Sequence, residues 1–127
     1  MANIIHKDLS YILNGILFEV HNEIGRFASE KQICDAIQNK LEINRIEFKR
    51  EFTLPTVNGD CIGRHRLDFL VENKIVLEIK IRKYLIKEDY AQVQRYLKDL
   101  NLALGILVNF RDLRLNVKRI LNGGGKE

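Results

Sequence analysis

The stretch RLDFLVENKIVLEIK, residues 66–80, decides the fold. It holds two short apolar runs, residues 66–71 and 75–81, separated by Glu72-Asn73-Lys74. Such runs, rich in Val, Ile, Leu and Phe around a polar turn, predict a β-hairpin. Side chains alternate along a strand, so Val76, Glu78 and Lys80 share one face and Leu77, Ile79 and Ile81 the other. A carboxylate and an ammonium therefore sit on a strand that otherwise reads as central. There a charge is costly unless it is paired or bound to metal.

The length of the loop decides the partner. A three-residue loop, Glu72 to Lys74, puts Asp68 opposite Glu78 on one face, whereas a two-residue turn at Asn73-Lys74 sends Asp68 to the other. Asn73 tolerates the left-handed backbone such a loop often needs. Two carboxylates roughly 4–5 Å apart repel unless a cation lies between them. Mg²⁺, which takes a few carboxylates and keeps several waters, suits that arrangement. Lys80 beside the metal can orient or help deprotonate an attacking water, so the trio suits metal-assisted phosphodiester hydrolysis. The competing reading is a surface ion pair, Glu78–Lys80, because E-x-K triplets are common.

Helical spacing governs the flanks. Leu9, Ile12, Leu13, Ile16, Leu17 and Val20 predict a first helix with Asp8 as N-cap, broken by Gly25. Ser29 and Gln32 fit a capping box opening a second helix that buries Ile33, Ala36, Ile37 and Leu41. Ile46, Phe48, Phe52 and Leu54 then predict a half-buried strand ending at Pro55, and Asn58-Gly59 a turn. After the hairpin, Tyr90, Val93, Leu97 and Leu100 mark a helix over 87–100. The apolar run 102–110 reads as a buried strand, and Leu113, Leu115 and Val117 as a last one. The order α-α-β-β-β-α-β-β is that of an α/β protein with a mixed sheet flanked by helices.

Composition narrows the rest. The 127 residues, 46% hydrophobic and 30% charged, suit one compact domain and exclude general disorder. The domain is expected over residues 8–121, with 122–127 a flexible tail. No apolar run approaches the roughly 20 residues of a membrane span, and no secretory signal opens the chain, so a cytoplasmic setting is expected. Cys34 and Cys61 read as reduced thiols rather than a disulfide or zinc scaffold. The net charge of +4 mildly favours a polyanionic partner. Arg64, His65 and Arg66 lead into one strand of the hairpin, and Arg82, Lys83 and Lys87 follow the other. The two runs emerge at one end of the sheet as a basic rim around the carboxylates.

Asp68 followed by Glu78-Ile79-Lys80 resembles the PD-(D/E)XK nuclease superfamily, with its restriction-endonuclease-like αβββαβ core, here with an extra N-terminal helix. More narrowly, ILNGILFEVHNEIG, Glu30 with DAI behind it, KREFTLP, AQVQRYLKDLNLALGILVNF and KRI resemble the GxxExxY proteins. Phe27 and Ile33 stand where the naming glycine and tyrosine are expected. The resemblance implies Asp68 and Glu78 as metal-binding carboxylates, Lys80 as catalytic lysine and Glu30 as a helix-borne third acid. It also implies Gln92 and Tyr96 as a Q-x-x-x-Y pair beside the active site. Together these readings give an Mg²⁺- or Mn²⁺-dependent nuclease acting on nucleic acid, DNA ahead of RNA, as a homodimer or a subunit of a larger assembly. The alternative is a non-catalytic nucleic-acid-binding or protein-interaction module retaining the fold.

Overall fold

The computed structural model describes residues 4–54 and 66–127. Pro55, the Asn58-Gly59 turn, Cys61, Arg64 and His65 lie outside the described residues. The elements are α1 (Lys7–Ile24), α2 (Glu30–Ile43), β1 (Phe48–Thr53), β2 (Arg66–Val71), β3 (Ile75–Lys80), α3 (Lys87–Leu100), β4 (Leu104–Asn109) and β5 (Val117–Leu121). The sheet runs β1-β2-β3-β4-β5, antiparallel throughout except for the parallel pair β3-β4, which α3 connects. This is a mixed α+β architecture of the restriction-endonuclease-like kind.

Two apolar clusters sandwich the sheet. Leu13, Leu17 and Val20 of α1 and Ile33, Ile37 and Leu41 of α2 pack on Phe69, Val71, Leu77, Ile79, Ile106 and Val108. On the opposite face Val93, Tyr96 and Leu97 of α3 cover Leu67, Leu70, Val76 and Leu107. Each fully buried side chain of this size contributes about 1.5–3 kcal/mol. Gly105 lets α3 sit down on β4, since a Cβ there would lie 2.5 Å from Val93 Cγ1.

Three local expectations are corrected. The N-cap of α1 is His6 in a left-handed conformation (φ 50°), with Asp8 inside the first turn, where the helix dipole favours it. The last strand is Val117–Leu121 rather than 113–117. Leu115 is tucked under the α1/α2 core, so the chain turns before it can pair with β4. In β1, Phe48 packs on the α1/α2 cluster while Phe52 packs on the α3 cluster. The change of face occurs at Glu51, whose φ of 54° is left-handed. The capping box of α2 is present, with Gln32 N–H donating to Ser29 Oγ (3.2 Å) and Ser29 N–H to Gln32 Oε1 (2.9 Å). The NGGGKE end, read above as flexible, hydrogen-bonds the 101–103 segment through Lys126 N–H to Asn101 O and Ala103 N–H to Lys126 O.

Candidate active site

The hairpin loop has three residues. Val71 pairs with Ile75, and Glu72 and Asn73 are both left-handed (φ 55° and 54°). The register Phe69↔Leu77, Leu70↔Val76 puts Asp68 level with Glu78. There the β2-β3 ladder stops, although β1 accompanies β2 to Arg66 and β4 accompanies β3 to Lys80. The sheet splits between β2 and β3, and the two carboxylates fill the split. Asp68 N–H donates to Glu78 Oε1 (2.8 Å), and Ile79 N–H donates to Asp68 Oδ2 (2.8 Å). Each acid thus replaces a ladder bond that the parting strands no longer make.

One oxygen of each acid remains. Glu78 Oε2 lies 3.7 Å from Lys80 Nζ, while Asp68 Oδ1 accepts no hydrogen bond among the described residues. The Glu78–Lys80 ion pair is therefore buried rather than superficial, with Glu78 only 3% exposed. Burial dominates the electrostatics. It pushes the Asp68 carboxyl up to about 6, opposed by the Ile79 N–H and aided by the charge of Glu30. Burial and the facing charge of Asp68 push Glu78 up to about 8. The charge of Lys80 offsets this only in part, and its ammonium also donates to Gln92 Oε1 (2.8 Å).

The pocket over the split holds about 440 Å³ and is lined by Glu30, Arg66, Asp68, Glu78, Lys80, Arg82 and Gln92, with Glu51 beside them. Seven of the side chains singled out in the sequence thus share one cavity. Lys83 and Lys87 are exposed outside it. Tyr96 is 2% exposed and packs in the α3 cluster, where burial and the neighbouring Glu78 push its phenol up to about 12. Cys34, buried and likewise pushed to about 12 by burial, is an inert thiol. Sequence reasoning missed Glu51, which reads as a solvated strand residue, and the buried pair Asp89 and Asn109. The polar end of the apolar run LALGILVNF is the one signal for Asn109.

The donor set fits a hard divalent ion. Two buried carboxylates hold their charge badly on their own, each keeps an oxygen turned from the ladder, and oxygen donors are what Mg²⁺ and Mn²⁺ take. Among the described residues, no group of three His, Cys, Asp or Glu side chains is gathered closely enough to hold a metal. Glu30 lines the cavity without completing such a group. No helix among the described residues is long and apolar enough to cross a membrane.

The split sheet brings Asp68, Glu78 and Lys80 of two adjoining strands into one pocket. The family model of the PD-(D/E)XK nuclease superfamily matches residues 7–120, and the chain belongs to that superfamily. Comparisons with curated proteins and with solved structures find no match.

Proposed function

We propose that this domain, spanning residues 8–121, hydrolyses phosphodiester bonds of DNA with Mg²⁺ or Mn²⁺, as a member of the GxxExxY branch. The observation that carries the reading is the pair of carboxylates in the sheet split, each with one oxygen engaged by a backbone N–H and one left over. Asp68 and Glu78 would hold the ion, with Glu30, which lines the same pocket, as the third acid. The bound ion supplies Lewis-acid polarisation of the phosphate and a more acidic water. Lys80, steadied by Gln92, orients the attacking water and offsets charge on the phosphate. Arg66 and Arg82 at the pocket and the exposed Lys83 and Lys87 steer the backbone, with Arg64, two residues before Arg66 in the sequence, adding its charge. A homodimer would set two such sites against the two strands of a duplex.

Supercoiled plasmid incubated with Mg²⁺ or Mn²⁺ tests this. The wild type should nick or linearise it, and Asp68→Ala and Lys80→Ala should not. Cleavage that survives both substitutions would remove these residues from the chemistry. The non-catalytic reading draws on the absence of a three-acid cluster among the described residues. It gains if plasmid is bound but left intact under either metal.

A further inference from the structure

The cations around the pocket are not equivalent. Lys80 is occupied by Gln92 and Glu78. Arg66 is an exposed partner of Glu51 at 4.0 Å, and Lys83 lies over the exposed Tyr84 ring at 5.8 Å. Arg82 is held differently, at three points.

Two of these points are on its main chain. Just beyond the end of β3, the Asn109 side chain reaches across from the end of β4. Arg82 N–H donates to Asn109 Oδ1 (2.9 Å), and Asn109 Nδ2 donates to Arg82 O (2.7 Å). The amide thereby supplies the pair of bonds a neighbouring strand would have made, two residues past Lys80, where the strand pairing ends. The third point is the side chain, where Arg82 Nε sits 3.2 Å from Asp89 Oδ1. Asp89 is fixed in turn, because its Oδ2 accepts the Ile86 N–H at the start of α3 (3.0 Å). Asp89 and Asn109 are 2% and 1% exposed, whereas the Arg82 side chain is 46% exposed.

Two buried polar groups thus hold the stem of an arginine whose far end is open. Neither terminal nitrogen of its guanidinium has a hydrogen bond among the described residues, and the residue lines the cavity with Asp68, Glu78 and Lys80. A capping role for Asp89 needs only one of its oxygens, so it does not account for the ion pair. Leaving the planar fork free while fixing its stem is what two-point recognition of a phosphate requires. Little side-chain freedom is then lost on binding.

We propose that Arg82 grips non-bridging oxygens of the phosphate presented to Asp68 and Glu78, and that Asp89 and Asn109 are the positioning residues that aim it. The inference rests on the phosphodiesterase reading of this pocket, but its binding arm does not require turnover.

The test pairs cleavage in Mg²⁺ with binding of a short fluorescein-labelled duplex in Ca²⁺, both on the full chain. Arg82→Ala should weaken binding and slow cleavage by about tenfold to a hundredfold, and Arg82→Lys, which keeps the charge without the fork, should recover only part. Asp89→Asn keeps an acceptor for the Ile86 N–H and should lose about tenfold in the wild-type background. In the Arg82→Ala background it should lose almost nothing further, because its effect passes through Arg82. A merely structural Asp89 would give additive losses and a lowered Tm, which overturns the positioning role. Equal binding by wild type and Arg82→Ala overturns the phosphate contact, whether or not plasmid is cut. Weaker binding by Arg82→Ala in a protein that never cleaves upholds the contact and refutes the hydrolytic reading instead. A wild type that binds no duplex refutes both.

Discussion

The two ends of the β2-β3 hairpin make opposite use of the same pair of strands. At the turn end, Val71↔Ile75, Leu70↔Val76 and Phe69↔Leu77 form a regular ladder, and all six side chains are buried between the helical layers. One pair further on, the ladder gives way, and two carboxylates take up the backbone N–H groups it abandons. The apolar end gains from every atom it removes from water. The acidic end loses by burial and persists because each acid satisfies a main-chain donor that would otherwise be orphaned. Site and core are separated by one residue step along each strand, so a substitution at one end should read out differently from its counterpart at the other.

The largest contrast is expected from Glu78→Gln set against Leu77→Ala. Glu78→Gln keeps an acceptor for the Asp68 N–H and removes a poorly solvated charge. It should abolish plasmid cleavage, by about a thousandfold or more, while Tm at pH 8 holds or rises. Leu77→Ala opens a cavity in the α1/α2 core and should lower stability by roughly 2–5 kcal/mol, with cleavage per folded molecule retained below the new Tm. Loss of stability in Glu78→Gln comparable to that in Leu77→Ala would erase the distinction between the two ends.

The acidic end should also set the slope of stability against pH. Both folded carboxyls lie above their unfolded values, so the native state holds more protons than the unfolded one from about pH 4 to about pH 8. Stability in the absence of metal should therefore be fullest at the acidic side of this window and fall as pH rises through about 6 and then about 8. Thermal melts in chelator should show Tm declining by several degrees from this source, and the double variant Asp68→Asn, Glu78→Gln should flatten that decline. Mg²⁺ or Mn²⁺ should restore Tm chiefly at the alkaline side, where both acids are ionised.

The smallest effect concerns the strand beside the split. Glu51 is left-handed inside β1, which costs an L-residue about 1–2 kcal/mol. Glu51→Gly should relieve that and gain roughly 0.5–1 kcal/mol after the added freedom of the unfolded chain is counted. Urea melts would measure it. A clear loss instead would mean that the Glu51 side chain contributes more to the pocket edge than its backbone costs.

The order of elements was legible in the sequence because it follows from periodicity. The loop length was open between two and three residues, and the pairing of Val71 with Ile75 decides it. Alternation in 66–80 and the 3.6-residue spacing of 87–100 leave little choice, and the odd loop around Asn73 sets the register at Asp68 and Glu78. The change of face at Glu51 was not legible, since glutamate carries no preference for a positive φ. Residues 111–116 were misread because Leu113 and Leu115 alternate like a strand, yet Leu115 is buried through a turn and Leu113 is exposed. Tyr96 lies beside Gln92 and Glu78, but its ring is buried in the α3 cluster instead of lining the pocket. Asp89 and Asn109 were hidden for a related reason: their partner, Arg82, is a through-space neighbour with no sequence spacing to announce it.

Calorimetric titration of Mn²⁺ into the protein at pH 8, beside Asp68→Asn and Glu78→Gln, tests the central claim most directly. A saturable isotherm for the wild type that disappears in both variants is the outcome expected of two acids sharing one ion. A flat wild-type trace, or an isotherm indifferent to both substitutions, would contradict it.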